Sequence, residues 1–167
     1  MPAQIPDEDP STWRLGPEGV AAARQLSTLV GIDPYVVASA EPKASATALL
    51  VTGREPALDL RLVEVRRPSR WNSEHVTDAR HYLSGQDVVG WESQDDVLRR
   101  IGESLDDHRE LAGQRRLVVF GHGISAALWV AAALRIDAVA WWRSLRFPDV
   151  WEIDRHARTA HRIEAIA

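Results

Sequence analysis

The sequence predicts an α/β protein built on a largely parallel sheet, and three observations carry that expectation. Two short apolar runs rich in β-branched residues, Tyr35–Ser39 and Leu117–Phe120, read as buried strands. Each is followed within a few residues by a glycine or proline that opens a helical stretch, which is the alternation parallel sheets require. No internal repeat and no linker divides the 167 residues, so a single domain over 1–167 is expected, with an irregular loop over 1–12.

The elements follow in order. Residues 1–15 are rich in proline and acid, lack periodicity and read as loop. Gly16, Pro17, Glu18 and Gly19 open a helix expected to reach about Val30, with Val20, Ala23, Leu26 and Val30 on one face and Gly31 as its stop. After the strand at 35–39, Pro42 suits the first turn of a helix that ends near Gly53. Residues 59–65 alternate apolar and charged side chains, as a half-buried strand does. A basic, proline-broken loop over 66–73 carries Arg66, Arg67, Arg70 and Trp71. Helices are expected over 73–83, stopped by Gly85, and over 92–112, striped by Val97, Ile101, Leu105 and Ala112. The strand at 116–120, a helix after His122 to Leu134 and a short helix through Trp141 and Trp142 come next. Two final strands, 149–153 and 161–166, are expected to form an antiparallel edge. The seven tryptophans fill core and rim, with Trp71 and Trp91 placed nearest a pocket mouth.

Composition removes whole classes of function. A net charge of −4 gives no electrostatic case for nucleic acid or an anionic membrane. The absence of cysteine excludes disulfides, thiolate catalysis and thiolate-bound zinc. The first residues have neither the basic region nor the apolar stretch of a signal peptide, and residues 124–134 are too short to span a bilayer. A soluble, cytoplasmic protein is the expectation. Lys43 stands out as the only lysine among 20 basic residues.

The strongest chemical signal is Phe120-Gly121-His122-Gly123, where a strand ends in an imidazole beside the N–H groups that open a helix. Those groups and the helix dipole favour an anion, so phosphate binding or phosphoryl chemistry is one reading; a histidine that merely satisfies a turn is the other. The other five histidines read as structural or surface residues. No metal-ligand spacing surrounds His122. A nucleophile elbow of the α/β-hydrolase type needs Gly-x-Ser-x-Gly, and Gly121-His122-Gly123-Ile124-Ser125 puts histidine and glycine where that motif would not, which sets that class aside.

Five stretches, in order, resemble motifs of the histidine phosphatase superfamily. They are 13–23, with its Leu15, Gly16 and alanine-rich helix; 38–48, with Ser39, Lys43, Ala44, Thr47 and Ala48; 60–65, with Glu64; Gly90-Trp91-Glu92-Ser93 with Arg99; and 120–123. The resemblance implies a phosphoglycerate-mutase-like, three-layer α/β/α sandwich with a mostly parallel sheet. It further implies a phosphomonoesterase that works through a phosphohistidine, without metal or cofactor, on a small phosphorylated substrate or, as a stand-in, a phosphate or sulfate anion. On that footing His122 donates to a phosphoryl oxygen, and Lys43 replaces a motif arginine as clamp, keeping charge but losing the planar fork. Glu64 is either the acid that protonates the leaving oxygen or a strand-end carboxylate paired with Arg66 or Arg67. Ser39 orients the pocket, Gly123 and Arg66 contact phosphate, and Arg67 and Arg70 are open to the same contact, with a solvated basic loop as the other reading. Glu92 and Arg99 are architectural. The short segment between Glu64 and Glu92 leaves little room for the cap of a mutase.

One motif of the resemblance is missing. The nucleophile, a histidine in Arg-His-Gly or Arg-His-Ala at the end of a first strand, does not occur in these 167 residues. Met1-Pro2 and the acidic loop after it fit directly behind such a motif, so the expectation is that Met1 is an internal methionine and that the chain in this form is inactive. The alternative is a non-catalytic relative that binds anions or protein partners. The strand at 116–120 is then expected to lack a neighbour on one edge, which implies a homodimer, a swapped segment or a disordered gap around residues 1–12.

Overall fold

The parallel core forms around Tyr35–Ser39 and Leu117–Phe120, two apolar strands that each lead into a helix, while the third strand, Ala57–Asp59, ends in a capping carboxylate and a 3-10 turn. The computed structural model describes residues 9–68 and 74–164. It runs α1 (Pro17–Gln25), β1 (Tyr35–Ser39), α2 (Pro42–Thr52), β2 (Ala57–Asp59), α3 (His75–Leu83), α4 (Gln94–Ala112), β3 (Leu117–Phe120), α5 (Gly123–Leu134), α6 (Ala138–Ser144), β4 (Trp151–Asp154) and β5 (Thr159–Arg162). Short 3-10 turns add Pro10–Thr12 and Leu60–Leu62. Arg70, Trp71, residues 1–8 and the end of the last expected strand lie outside the described residues.

The sheet order is β2-β1-β3, all parallel, with Val37 beside Ala57 and Val119 and Ala38 beside Leu58 and Phe120. Alternation on β1 then sorts the layers. Val36 and Ala38 pack with Ala48 of α2 on one face, and Val37 packs with Val97 and Ile101 of α4 and Ile124 of α5 on the other. The architecture is the expected α/β/α sandwich. Its functional consequence is that Ser39, Asp59 and Phe120 all finish at one end of the sheet, where open α/β folds bind ligands.

Three expectations are corrected. The first helix stops at Gln25, not Val30: the Leu26 N–H is shared between the carbonyls of Ala23 and Arg24, and Ser27 and Thr28 continue it as turns. The expected strand over 59–65 is cut short because the Asp59 carboxylate accepts the Arg61 N–H at 2.7 Å and coils the chain into a 3-10 turn. Glu64 therefore sits on an extended segment beyond that turn. The final two strands pair antiparallel with each other, but as a separate two-stranded sheet rather than an edge of the main one.

Helix ends obey local chemistry. Ser93 caps α4 by accepting the Asp96 N–H, Asp137 caps α6, and α2 ends at Gly53 with φ 66°. Glu92, expected as the first residue of this helix, lies before the α4 cap. Its carboxylate turns back onto Arg100, bidentate at 2.8 and 2.9 Å, while Arg99 is exposed and pairs with Asp96. Arg100 also donates to the carbonyls of Arg61, Val63 and Glu64. This buried clamp fixes the segment that carries Glu64.

Candidate active site

His122 follows β3 and is the N-cap of α5, while Ser39 ends the adjacent β1. The parallel register puts these two side chains together: His122 Nε2 and Ser39 Oγ share a hydrogen bond of 2.8 Å, and both residues are buried. Pro42 starts α2 three residues after Ser39, and the intervening turn throws Glu41 inward, where its backbone N–H donates to Ser39 Oγ at 3.2 Å.

The N-terminus of α5 is not free. Glu64 Oε1 accepts the Ser125 N–H at 2.7 Å and Glu64 Oε2 accepts the Ile124 N–H at 3.1 Å, so the anion expected at this helix end is the protein's own carboxylate. Burial opposes ionisation of Glu64. The charges of His122 and Arg67 and the N–H groups of Val65 and Ile124 outweigh it, leaving the carboxyl below its usual range. The N–H donors and Arg67 act whatever the state of His122. Glu64 is thus held ionised, not protonated as an acid donor would be.

Glu41 completes the cluster. Its Oε1 accepts the Glu64 N–H at 2.7 Å and lies 3.5 Å from His122 Nε2, and its Oε2 is ion-paired and hydrogen-bonded to Lys43 Nζ. Lys43 also donates to the Pro10 carbonyl at 2.7 Å. Burial pushes the His122 imidazole below its ordinary value; Glu64 and Glu41 pull it up, and Lys43 and Arg67 push it further down. At neutral pH the ring is neutral, and the two carboxylates balance Lys43 and Arg67.

The structure thus brings together His122, Ser39, Glu64 and Lys43, with Gly123 next to His122. Arg66 is not among them: it is 67% exposed, and its guanidinium lies 3.6 Å from Glu92. Arg67 faces the site in its place, spreading over Trp91 at 5.4 Å, with His75 stacked on the same indole. Sequence reasoning gave Glu41 no role, although a carboxylate between Ser39 and Lys43 at a strand-to-helix turn was the available signal. Arg67, one of three loop arginines that the sequence leaves open to a phosphate contact, is brought onto Trp91 beside His75 only by the fold, and His75 carries no local signal. A cavity of about 410 Å³ beside α4 is lined by Arg61, Arg66, Arg99 and Arg100, each of them ion-paired: Arg66 and Arg100 with Glu92, Arg99 with Asp96 and Glu103, and Arg61 with Asp59 and Asp107. Among the described residues no group of three or more His, Cys, Asp or Glu side chains gathers as a metal site, and no helix is long and apolar enough to cross a membrane.

No family model and no curated protein matches the chain. Solved structures do. A phosphoserine phosphatase variant from Entamoeba histolytica, crystallised with phosphoserine, is 15% identical with a TM-score of 0.68, covering 94% of this chain and 86% of its own. YhfR from Bacillus stearothermophilus is 18% identical with a TM-score of 0.68, covering 93% and 85%. A mycobacterial glucosyl-3-phosphoglycerate phosphatase is 22% identical with a TM-score of 0.61, covering 83% and 76%. The chain has the fold of these phosphatases, the phosphoglycerate-mutase-like fold of the histidine phosphatases.

Proposed function

We propose that the chain seats the phosphoryl group of a small phosphomonoester where the Glu41 carboxylate now lies. One observation carries this reading: an anionic group already occupies a buried seat walled by Lys43 Nζ, the Glu64 N–H and His122 Nε2. Those are a cation, a backbone donor and an imidazole, the groups that stabilise charge on transferring oxygens. A phosphoryl group would displace Glu41, take Lys43 and receive a hydrogen bond from His122, with Ser39 setting the ring's orientation. Its negative charge would raise the pKa of the neighbouring Glu64 and let that carboxyl protonate a leaving oxygen. Arg67, rather than Arg66, is placed to support the phosphoryl charge.

A phosphohistidine route needs a nucleophilic imidazole that attacks phosphorus as the ester oxygen leaves, followed by water. No Arg-His-Gly or Arg-His-Ala motif occurs in the chain, so this form binds the anion without turning it over. The structural neighbours named for phosphoserine and glucosyl-3-phosphoglycerate support a small phosphorylated substrate. The rival reading, a non-catalytic anion- or protein-binding domain, draws support from the neutralisation of Lys43 by Glu41.

Calorimetric titration with inorganic phosphate tests the proposal. Binding is expected in the wild type, about tenfold weaker in Lys43→Met and His122→Asn, as loss of a charged or buried hydrogen-bond partner implies, and tighter in Glu41→Gln. Phosphate that binds neither the wild type nor Glu41→Gln overturns it. Hydrolysis of p-nitrophenyl phosphate that appears only when residues encoded upstream of Met1 are added favours the enzyme reading; its absence then favours the binding domain.

A further inference from the structure

The loop after α6 lays an aromatic ring against the residue next to His122. A Cβ on Gly123 would sit 2.8 Å from Phe147 Cζ and 3.6 Å from Trp142 Nε1, so only glycine lets the ring come this close. Phe147 is nevertheless 52% exposed. It is a large apolar side chain with one face on the α5 N-terminus and the other in solvent, one residue along from the imidazole assigned to the phosphoryl group. The half-buried Trp142 brings an indole N–H to the same spot, and that N–H makes no hydrogen bond among the described residues. Arg67, lying over Trp91, adds a cation close enough to act on Glu64.

We infer that Phe147 is a specificity-determining residue: with Trp142 it forms an apolar shelf that receives the aromatic or apolar body of the phosphomonoester. The inference rests on the phosphate seat proposed above and names the class of group attached to that phosphate. Three parts divide the recognition. Lys43 and His122 hold the phosphoryl oxygens, the Trp142 N–H reaches an acceptor oxygen on the organic part, and the Phe147 ring stacks on its apolar surface. A small polar body such as that of phosphoserine leaves the ring in water and gains nothing from it.

Titrations of the full chain with inorganic phosphate, phosphoserine and phenyl phosphate decide the matter. The expected result is phenyl phosphate bound about tenfold more tightly than inorganic phosphate, the upper range for a stacked aromatic pair, with phosphoserine close to inorganic phosphate. In Phe147→Ala the ratio of phenyl phosphate to inorganic phosphate is expected to fall to about one by the same reasoning, and Phe147→Leu to give an intermediate ratio. Equal binding of phenyl phosphate and inorganic phosphate by the wild type overturns the shelf while leaving the phosphate seat intact. A preference that survives unchanged in Phe147→Ala also overturns it. Failure of inorganic phosphate itself to bind removes the seat and the shelf with it.

Discussion

Glu41 and Glu64 illustrate how far a buried carboxylate's role depends on what donates to it. Glu64 takes two N–H groups from the first turn of α5, and Glu41 takes the Glu64 N–H and the Lys43 ammonium, so each buried carboxylate has its donors in a place that would otherwise reject it. The histidines respond to the opposite force. Burial, followed by the nearby Arg67, lowers His75 from 6.5 to about 4, and burial also lowers His122. A histidine held neutral in the fold is protonated first in the unfolded chain, so this part of the stability is complete above pH 6.5 and drains away as pH falls toward 4. The urea midpoint is therefore expected to decline across that window, and His75→Gln to flatten the decline. A midpoint flat from pH 7 to 4 would contradict the assignment of both rings as neutral.

At the level of elements, the segment after β2 matters more than any strand. It leaves the sheet through the Asp59-capped 3-10 turn and is then held by Arg100, whose guanidinium spans the Glu92 carboxylate and three carbonyls. Glu64 owes its position under α5 to that clamp. Arg100→Met strands a buried Glu92 and is expected to cost about 3–5 kcal/mol in urea unfolding, whereas Arg100→Met with Glu92→Leu recovers much of the loss. A single variant as stable as the double would place the clamp outside the fold's energetics. The second clamp of this kind joins Asp59 to Ser104, His108 and, through His108, to Tyr35, tying α4 to β1 and β2. Its Asp59 is the register partner of Ser39, so the same contacts also steady the end of β1.

Across the whole molecule the sheet is divided. Among the described residues β3 pairs only with β1 and β4 only with β5, and an exposed Arg116–Glu152 pair at 3.6 Å reaches between β3 and the hairpin. Val119, on β3, is 38% exposed. A strand edge with unpaired N–H and C=O groups recruits another strand. Sedimentation equilibrium is expected to detect a concentration-dependent dimer of this chain, shifted toward monomer by Val119→Lys. A monomer at every concentration would mean that the β3 edge is covered within one chain.

Much of this was legible in order along the chain. Strands 35–39 and 117–120, the proline-started α2, the Gly53 stop and the strand-end placement of His122 follow from hydrophobic period and backbone punctuation, which act over a few neighbouring residues. The ending of α1 at Gln25 and of β2 at Asp59 did not follow, because a shared N–H and an Asx-type cap compete with periodicity at single positions. The site's electrostatics were beyond local reading altogether. Glu64 meets Ser125 across 61 residues of chain, and Glu41 meets Glu64 across 23. Which carboxylate fills the helix end, and which one pairs with the lone lysine, is decided only when the parallel register brings those distant segments to one edge of the sheet.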